Sequence, residues 1–170
     1  PVSDGTRLVL SHHDFEGLPA DLADRVRRMR ADARQGLIKV AVRTATVADC
    51  VRLRDAVGTG TEQVVIGMGP GGLVTRACPW LCDSRWTYGG NAAPGQTSVA
   101  DLIDVYRVRQ TSRATAIYAL VGAPLAHSAS PAMFNAAFAS AGLDAVYVPI
   151  ETRDAADFLD GAEAFGIAGA

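Results

Sequence analysis

The chain has 170 residues, 49% hydrophobic and 20% charged, the composition of globular material for one domain or parts of two. A formal net charge of −2 gives no basic surface for nucleic acid or an anionic membrane, and no apolar run approaches the roughly 20 residues of a membrane span. Cys50, Cys78 and Cys82 form an odd set with neither disulfide-framework nor zinc-site spacing, so they read as packing residues in a reducing compartment, and no metal site is expected.

Residues 6–11, TRLVLS, read as a strand that delivers His12-His13-Asp14-Phe15 at its C-terminal end. Pro19 and Ala20 then open a helix to about Arg34, with Leu22, Val26, Met29 and Ala33 on one face and Gly36 as its stop. Next comes Gly36-Leu37-Ile38-Lys39-Val40-Ala41-Val42, a short β-branched run that reads as a buried strand interrupted by one charge. All other basic residues in the chain are Arg, so Lys39 is its single lysine. The bland reading is a lysine snorkelling from a strand end. The chemical reading is that an amine was kept because a desolvated Lys can lose its proton and attack a carbonyl, which Arg cannot do.

Thr46 with Asp49 has the spacing of an N-cap pair and starts a second helix ending near Gly58. A third strand over residues 61–68 runs into Gly69-Pro70-Gly71-Gly72 and then Arg76, and a fourth over 85–89 leads to Ala93-Pro94-Gly95-Gln96. Ser98 and Asp101 cap the next helix, with Val99, Leu102, Ile103 and Tyr106 at helical spacing. Strand alternating with helix predicts parallel βα units, and in a βα barrel chemistry gathers at the C-terminal ends of the strands. His13, Arg76 and Gln96 all lie just beyond such ends. Along its own strand Lys39 shares a face with Leu37, Ala41 and Arg43, while Ile38, Val40 and Val42 should pack on helices. Lys39 then points into the barrel, and an imidazole, an amine, a guanidinium and a carboxamide are expected to converge on one cavity.

Ser11-His12-His13-Asp14-Phe15, Ile38-Lys39-Val40-Ala41, Met68-Gly69-Pro70-Gly71-Gly72-Leu73-Val74-Thr75-Arg76 and Ala93-Pro94-Gly95-Gln96 resemble, in order and spacing, the signatures of type I 3-dehydroquinate dehydratase. The resemblance covers residues 1 to about 110. It implies that Lys39 forms an imine with the ketone of 3-dehydroquinate and that His13 is the general acid/base for imine formation and water loss, with no cofactor. Arg76 matches the residue that grips the substrate carboxylate, and Gln96 matches a substrate-binding amide. The residue types suit that chemistry, since a protonated imine acidifies the neighbouring C–H and a histidine moves protons near neutral pH. Two departures stand out. Ala92 occupies a position where the family usually has Ser, and the chain supplies four of the eight strands of a barrel.

Gly67-Met68-Gly69-Pro70-Gly71-Gly72 also fits the G-x-G-x-x-G of dinucleotide sites. Pro79 would break the long helix that such a motif opens, and no acidic residue ends the next strand to hold a ribose.

After residues 111–114 the chain changes character. Residues 115–121 form a new apolar strand, turned by Gly122-Ala123-Pro124. His127-Ser128-Ala129-Ser130-Pro131 follows, with Ser130 expected as N-cap of a helix whose buried face is Phe134, Phe138 and Ala141. A strand over 145–150, a helix from Thr152 toward Phe165 and the entry to another strand over 165–170 complete the chain. Ser128 and Ser130 at a helix N-terminus are suited to a carboxylate. Residues 121–124, 127–131 and 135–138 are similar to the substrate-binding signature of shikimate dehydrogenase, in which the matching serines hold the shikimate carboxylate. Phe134 stands where many members have His. This resemblance covers about 115–170, and its NADP domain and catalytic Lys–Asp pair have no counterpart here.

The expected architecture is therefore α/β: the C-terminal half of a (β/α)₈ TIM barrel over residues 1–113, then the start of a second α/β domain over 114–170. The start at Pro1 and the apolar stop read as an internal piece of a bifunctional shikimate-pathway enzyme, acting on 3-dehydroquinate and 3-dehydroshikimate, in cytoplasm or, in a plant, plastid. Open sheet edges leave room for a homodimer. Three other readings stay open: a class I aldolase or other Schiff-base barrel lyase, a non-catalytic carboxylate-binding module, and an inactive remnant.

Overall fold

Ile38, Val40 and Val42 are buried because β2 (Leu37–Arg43) is the central strand of a parallel sheet, between β1 (Val9–Asp14) and β3 (Gln63–Met68). Their face is covered by α1 (Leu22–Ala33) and α2 (Val47–Val57), through Leu22, Val26, Leu53 and Val57. The opposite face carries Leu37, Ala41, Val64 and Ile66, as strand alternation predicts. The computed structural model describes residues 7–33, 36–90 and 96–170; Thr6, Arg34, Ala92 and Ala93-Pro94-Gly95, used above, lie outside the described residues. Helix α2 begins as its sequence predicts. Thr46 Oγ1 accepts the Asp49 N–H at 3.1 Å, and the Asp49 carboxylate accepts the N–H groups of Ala45 and Thr46 at 2.9 and 3.2 Å.

The predicted fourth strand over 85–89 does not form, and the reason lies on the outer edge of β3. Ser84 Oγ takes both backbone groups of Val65, accepting its N–H at 2.8 Å and donating to its carbonyl at 3.3 Å. Thr75 Oγ1 accepts the Gly67 N–H at 2.9 Å. One backbone bond, Arg85 N–H to Gln63 O at 3.0 Å, joins residues 85–89 to β3. Side-chain hydroxyls thus satisfy the groups that a further strand would use.

The glycine-rich loop after β3 is a tight packing element. Pro70–Gly72 makes one 3₁₀ turn into the five-residue helix α3 (Leu73–Ala77), and Pro79 opens another 3₁₀ turn. A Cβ on Gly72 would lie 2.2 Å from the Gly67 carbonyl oxygen, and one on Gly71 would lie 2.7 Å from the Ala45 backbone. These glycines let the loop backbone close on β3 and on the β2–α2 connection. Helix α3 thus runs five residues, short of the long helix that a dinucleotide motif opens. Further on, Ser98 Oγ accepts the Asp101 N–H at 2.9 Å, and the helical stretch it caps is π-wound over Asp101–Val105. Leu102 and Tyr106 are buried there, whereas Val99 is 54% exposed, so only part of the predicted face is internal.

The second sheet is also parallel, ordered β5-β4-β6, from β4 (Ala116–Gly122), β5 (Ala145–Glu151) and β6 (Ile167–Gly169), the last being the strand expected at the end of the chain. Its inner face, with Ile117, Ala119, Val146, Val148 and Ile150, packs in one cluster with Val47 and Cys50 of α2 and Val74 and Ala77 of α3. Helix α5 (Ala155–Phe165) lies against α2. A Cβ on Gly161 would meet Val47 Cγ1 at 2.4 Å, which shows how closely the two helices approach. Its cap is Asp154 rather than Thr152, with Asp154 Oδ1 accepting the Ala156 N–H at 2.9 Å.

Helix α4 (Ser130–Ser140) corrects two expectations. Ser130 is its first residue, not its cap, because Ala129 already has helical backbone angles (φ −81°, ψ −9°) and the Ser130 N–H donates to Ser128 Oγ at 3.2 Å. Its buried side is Pro131 and Asn135, while Phe134 is 39% exposed and stacks on Tyr147 at 4.6 Å. Asn135 explains the difference. Its Nδ2 donates to Pro131 O and Tyr147 O, and its Oδ1 accepts the Tyr147 N–H, all at 2.8 Å. The amide thus satisfies the outer edge of β5. Asn135→Ala is expected to leave both Tyr147 backbone groups unpaired and to cost about 2–5 kcal/mol, read as a lower denaturant midpoint in the full-length protein. Asn135→Ala within 0.5 kcal/mol of the parent would remove this account of the edge.

Candidate functional site

Lys39 lies in the middle of β2, in register with Ser11 of β1 and Val64 of β3, and His13 is in register with Ala41. Parallel strands in register point their paired residues to one side, so Ser11, His13, Lys39, Ala41, Val64 and Ile66 share a face. Lys39 is half-buried there and His13 is exposed. Partial burial and the Lys39 charge, followed by His12, hold the His13 imidazole below its ordinary value of 6.5. At neutral pH His13 is then a neutral proton acceptor beside an amine. His12 points to the opposite, helix-covered face.

Tyr88 joins this face to Arg76. The Lys39 Nζ lies 4.3 Å from the centroid of the Tyr88 ring, and Arg76 Nη1 donates to the Tyr88 carbonyl at 2.7 Å. Arg76 belongs to α3 and is 6% exposed; burial lowers its pKa, but a guanidinium stays charged. With one N–H spent on Tyr88 O, its planar fork keeps further donors for a carboxylate.

Gln96 follows Tyr88 along the chain. It lines a cavity of about 420 Å³ together with Gly69, Tyr106, Ser128, Pro149 and Glu151. Lys39 and Arg76 both meet Tyr88, His13 lies on the Lys39 face, and the Gln96 carboxamide lines the cleft that also holds Ser128. Ser128 is exposed and Ser130 half-buried, and the bond between them brings both to the start of α4. Cys50, Cys78 and Cys82 are free and buried, and burial pushes each thiol up to about 12, which suits packing and not nucleophilic attack. Among the described residues no group of three His, Cys, Asp or Glu could hold a metal ion, and no helix is long and apolar enough to cross a membrane.

Tyr88 was missed at the level of sequence. Its approach to Lys39 is a tertiary contact between residues far apart in the chain, which no local pattern over residues 85–89 indicates.

Comparison with known proteins gives two matches along the chain. The family described as type I 3-dehydroquinase matches residues 2–113, and the shikimate dehydrogenase substrate binding domain matches residues 120–170. The bifunctional 3-dehydroquinate dehydratase/shikimate dehydrogenase of Arabidopsis thaliana, described as chloroplastic, is 30% identical over 96% of this chain and 28% of its own length. A shikimate dehydrogenase (NADP(+)) of Anaeromyxobacter dehalogenans is 53% identical over 32% of this chain and 20% of its own. The crystal structure of the 3-dehydroquinate dehydratase from Aquifex aeolicus superposes with a TM-score of 0.52 at 28% identity, covering 61% of this chain and 48% of that one. The chain thus spans a fifth to less than half the length of these proteins.

Proposed function

This chain belongs to the type I 3-dehydroquinase family, and from that membership we propose that its Lys39 face carries the dehydration of 3-dehydroquinate to 3-dehydroshikimate through a Schiff base. The observation that supports this best is the placing of His13 and Lys39 on one face of adjacent parallel strands, with the amine charge acting on the imidazole. Lys39 attacks the ketone, and the carbonyl oxygen leaves as water. The resulting iminium withdraws electrons from the neighbouring carbon, whose proton goes to a base. His13, neutral at working pH, shuttles protons in imine formation and in the loss of the substrate hydroxyl. Arg76 pairs with the substrate carboxylate through donors not used by Tyr88 O. Gln96 is proposed as a substrate-binding amide, and His13→Ala with Gln96→Ala separates chemistry (kcat) from binding (KM).

Residues 114–170 are proposed to open a dehydrogenase part that binds the product of the first reaction, 3-dehydroshikimate, for NADPH-dependent reduction to shikimate. Ser128 and Ser130 would hold the carboxylate. No residue here is assigned to NADP. Replacing both serines with Ala in the full-length protein is expected to weaken shikimate binding by roughly 1.5–3 kcal/mol per lost hydrogen bond and to leave dehydration unchanged. Equal loss of both activities in steady-state assays would point to misfolding and remove the assignment.

A further inference from the structure

We propose that Tyr88 is a positioning residue for Lys39: its ring face holds the cationic nitrogen of that lysine at the start of the reaction and again as the iminium. The inference rests on the Schiff-base reading above. Three observations carry it. Lys39 Nζ sits 4.3 Å from the ring centroid, within the range where a cation is drawn to an aromatic face. The Tyr88 backbone is fixed, since its carbonyl accepts from the buried Arg76, so the ring is hung from an anchored peptide. Among the described residues no carboxylate forms an ion pair with Lys39.

The chemistry gives the ring its use. Conversion of an ammonium and a ketone into a protonated imine forms the C–N bond and breaks the C–O bond. Two protons from the nitrogen leave with the oxygen as water; the nitrogen is cationic at the start and at the end of the net step and neutral in the amine that attacks and in the carbinolamine between. A carboxylate near that nitrogen would stabilise the same cations, but it could also take the proton intended for the histidine. A ring face attracts the cation without being a base. Tyr88 therefore favours the electron-sink state over the neutral carbinolamine and keeps the amine aimed along the shared face of β1 and β2.

The test is borohydride trapping of the imine in the full-length protein with 3-dehydroquinate, across substitutions at Tyr88. Tyr88→Phe keeps the ring face and is expected to trap within about twofold of the parent, whereas Tyr88→Leu should trap roughly tenfold more slowly. Phenylalanines carrying one, two or three ring fluorines at position 88 keep the shape and drain the ring face. Stepwise slowing with each fluorine is the expected result, and it does not depend on the Leu variant folding. A trapping rate that ignores fluorination would overturn the role of Tyr88 while leaving the Schiff base standing. Absence of any trapped adduct in the parent would instead overturn the Schiff-base reading and this inference with it.

Discussion

Lys39→Arg is expected to abolish dehydration of 3-dehydroquinate in the full-length protein while leaving it folded. The substitution keeps the charge, the length and an aromatic-stacking cation over Tyr88, so the local packing of β2 loses little. What it removes is the single lysine amine of this sequence, the group proposed to form the imine, because a guanidinium neither deprotonates nor attacks a ketone. Loss of a covalent nucleophile costs on the order of 10⁴–10⁶-fold in turnover, far more than a binding contact. Lys39→Ala should give the same loss. In both variants a dehydrogenase assay should remain near the parent value, since Ser128 and Ser130 lie at the start of α4, which packs on β5 of the second sheet, whereas Lys39 lies in the first. A Lys39→Arg variant with full dehydratase activity would return Lys39 to the snorkelling lysine that its strand position alone allows.

His13→Ala is expected to differ in kind. The nucleophile survives, so slow imine formation should persist while turnover falls by about 10²–10⁴-fold, the usual worth of general acid/base help. The pH profile carries a second sign. Burial and the neighbouring Lys39 charge hold the His13 imidazole below 6.5, so it is a neutral base at neutral pH. As pH falls through that lowered value the imidazole takes a proton and loses its capacity as a base. The acid limb of kcat should therefore lie below the ordinary histidine position, and His13→Ala should remove that limb. His12→Ala serves as the control. Its side chain faces the helices, so its effect on kcat should be small and the limb should remain.

Much of this was legible in the sequence because it depends on short-range rules. Two-residue alternation set Lys39 on the face opposite Ile38, Val40 and Val42, and the Thr46–Asp49 pair fixed the start of α2. Three things were not legible, and each is a long-range event. The outer edge of β3 is closed by the hydroxyls of Ser84 and Thr75, so residues 85–89 read as a strand but join β3 through one backbone bond, from Arg85. Asn135 turns α4 so that a polar amide is buried and Phe134 is exposed, inverting what a hydrophobic pattern indicates. Gln96 follows a strand end in sequence, yet it lines a cleft with Ser128 from the second half of the chain. The Tyr88 contact depends on the same unpaired segment, which carries its ring to the Lys39 amine.

The most direct measurement is peptide mapping by mass spectrometry after borohydride reduction of the full-length protein with 3-dehydroquinate. The central claim is a covalent nitrogen–carbon bond between Lys39 and substrate, and borohydride fixes an imine but leaves a non-covalent complex unchanged. The expected result is a single adduct on the peptide containing Lys39, absent from Lys39→Arg and present, more slowly formed, in His13→Ala. An adduct mapped to any other residue, or turnover of 3-dehydroquinate with no adduct under trapping conditions, would contradict the account at its centre.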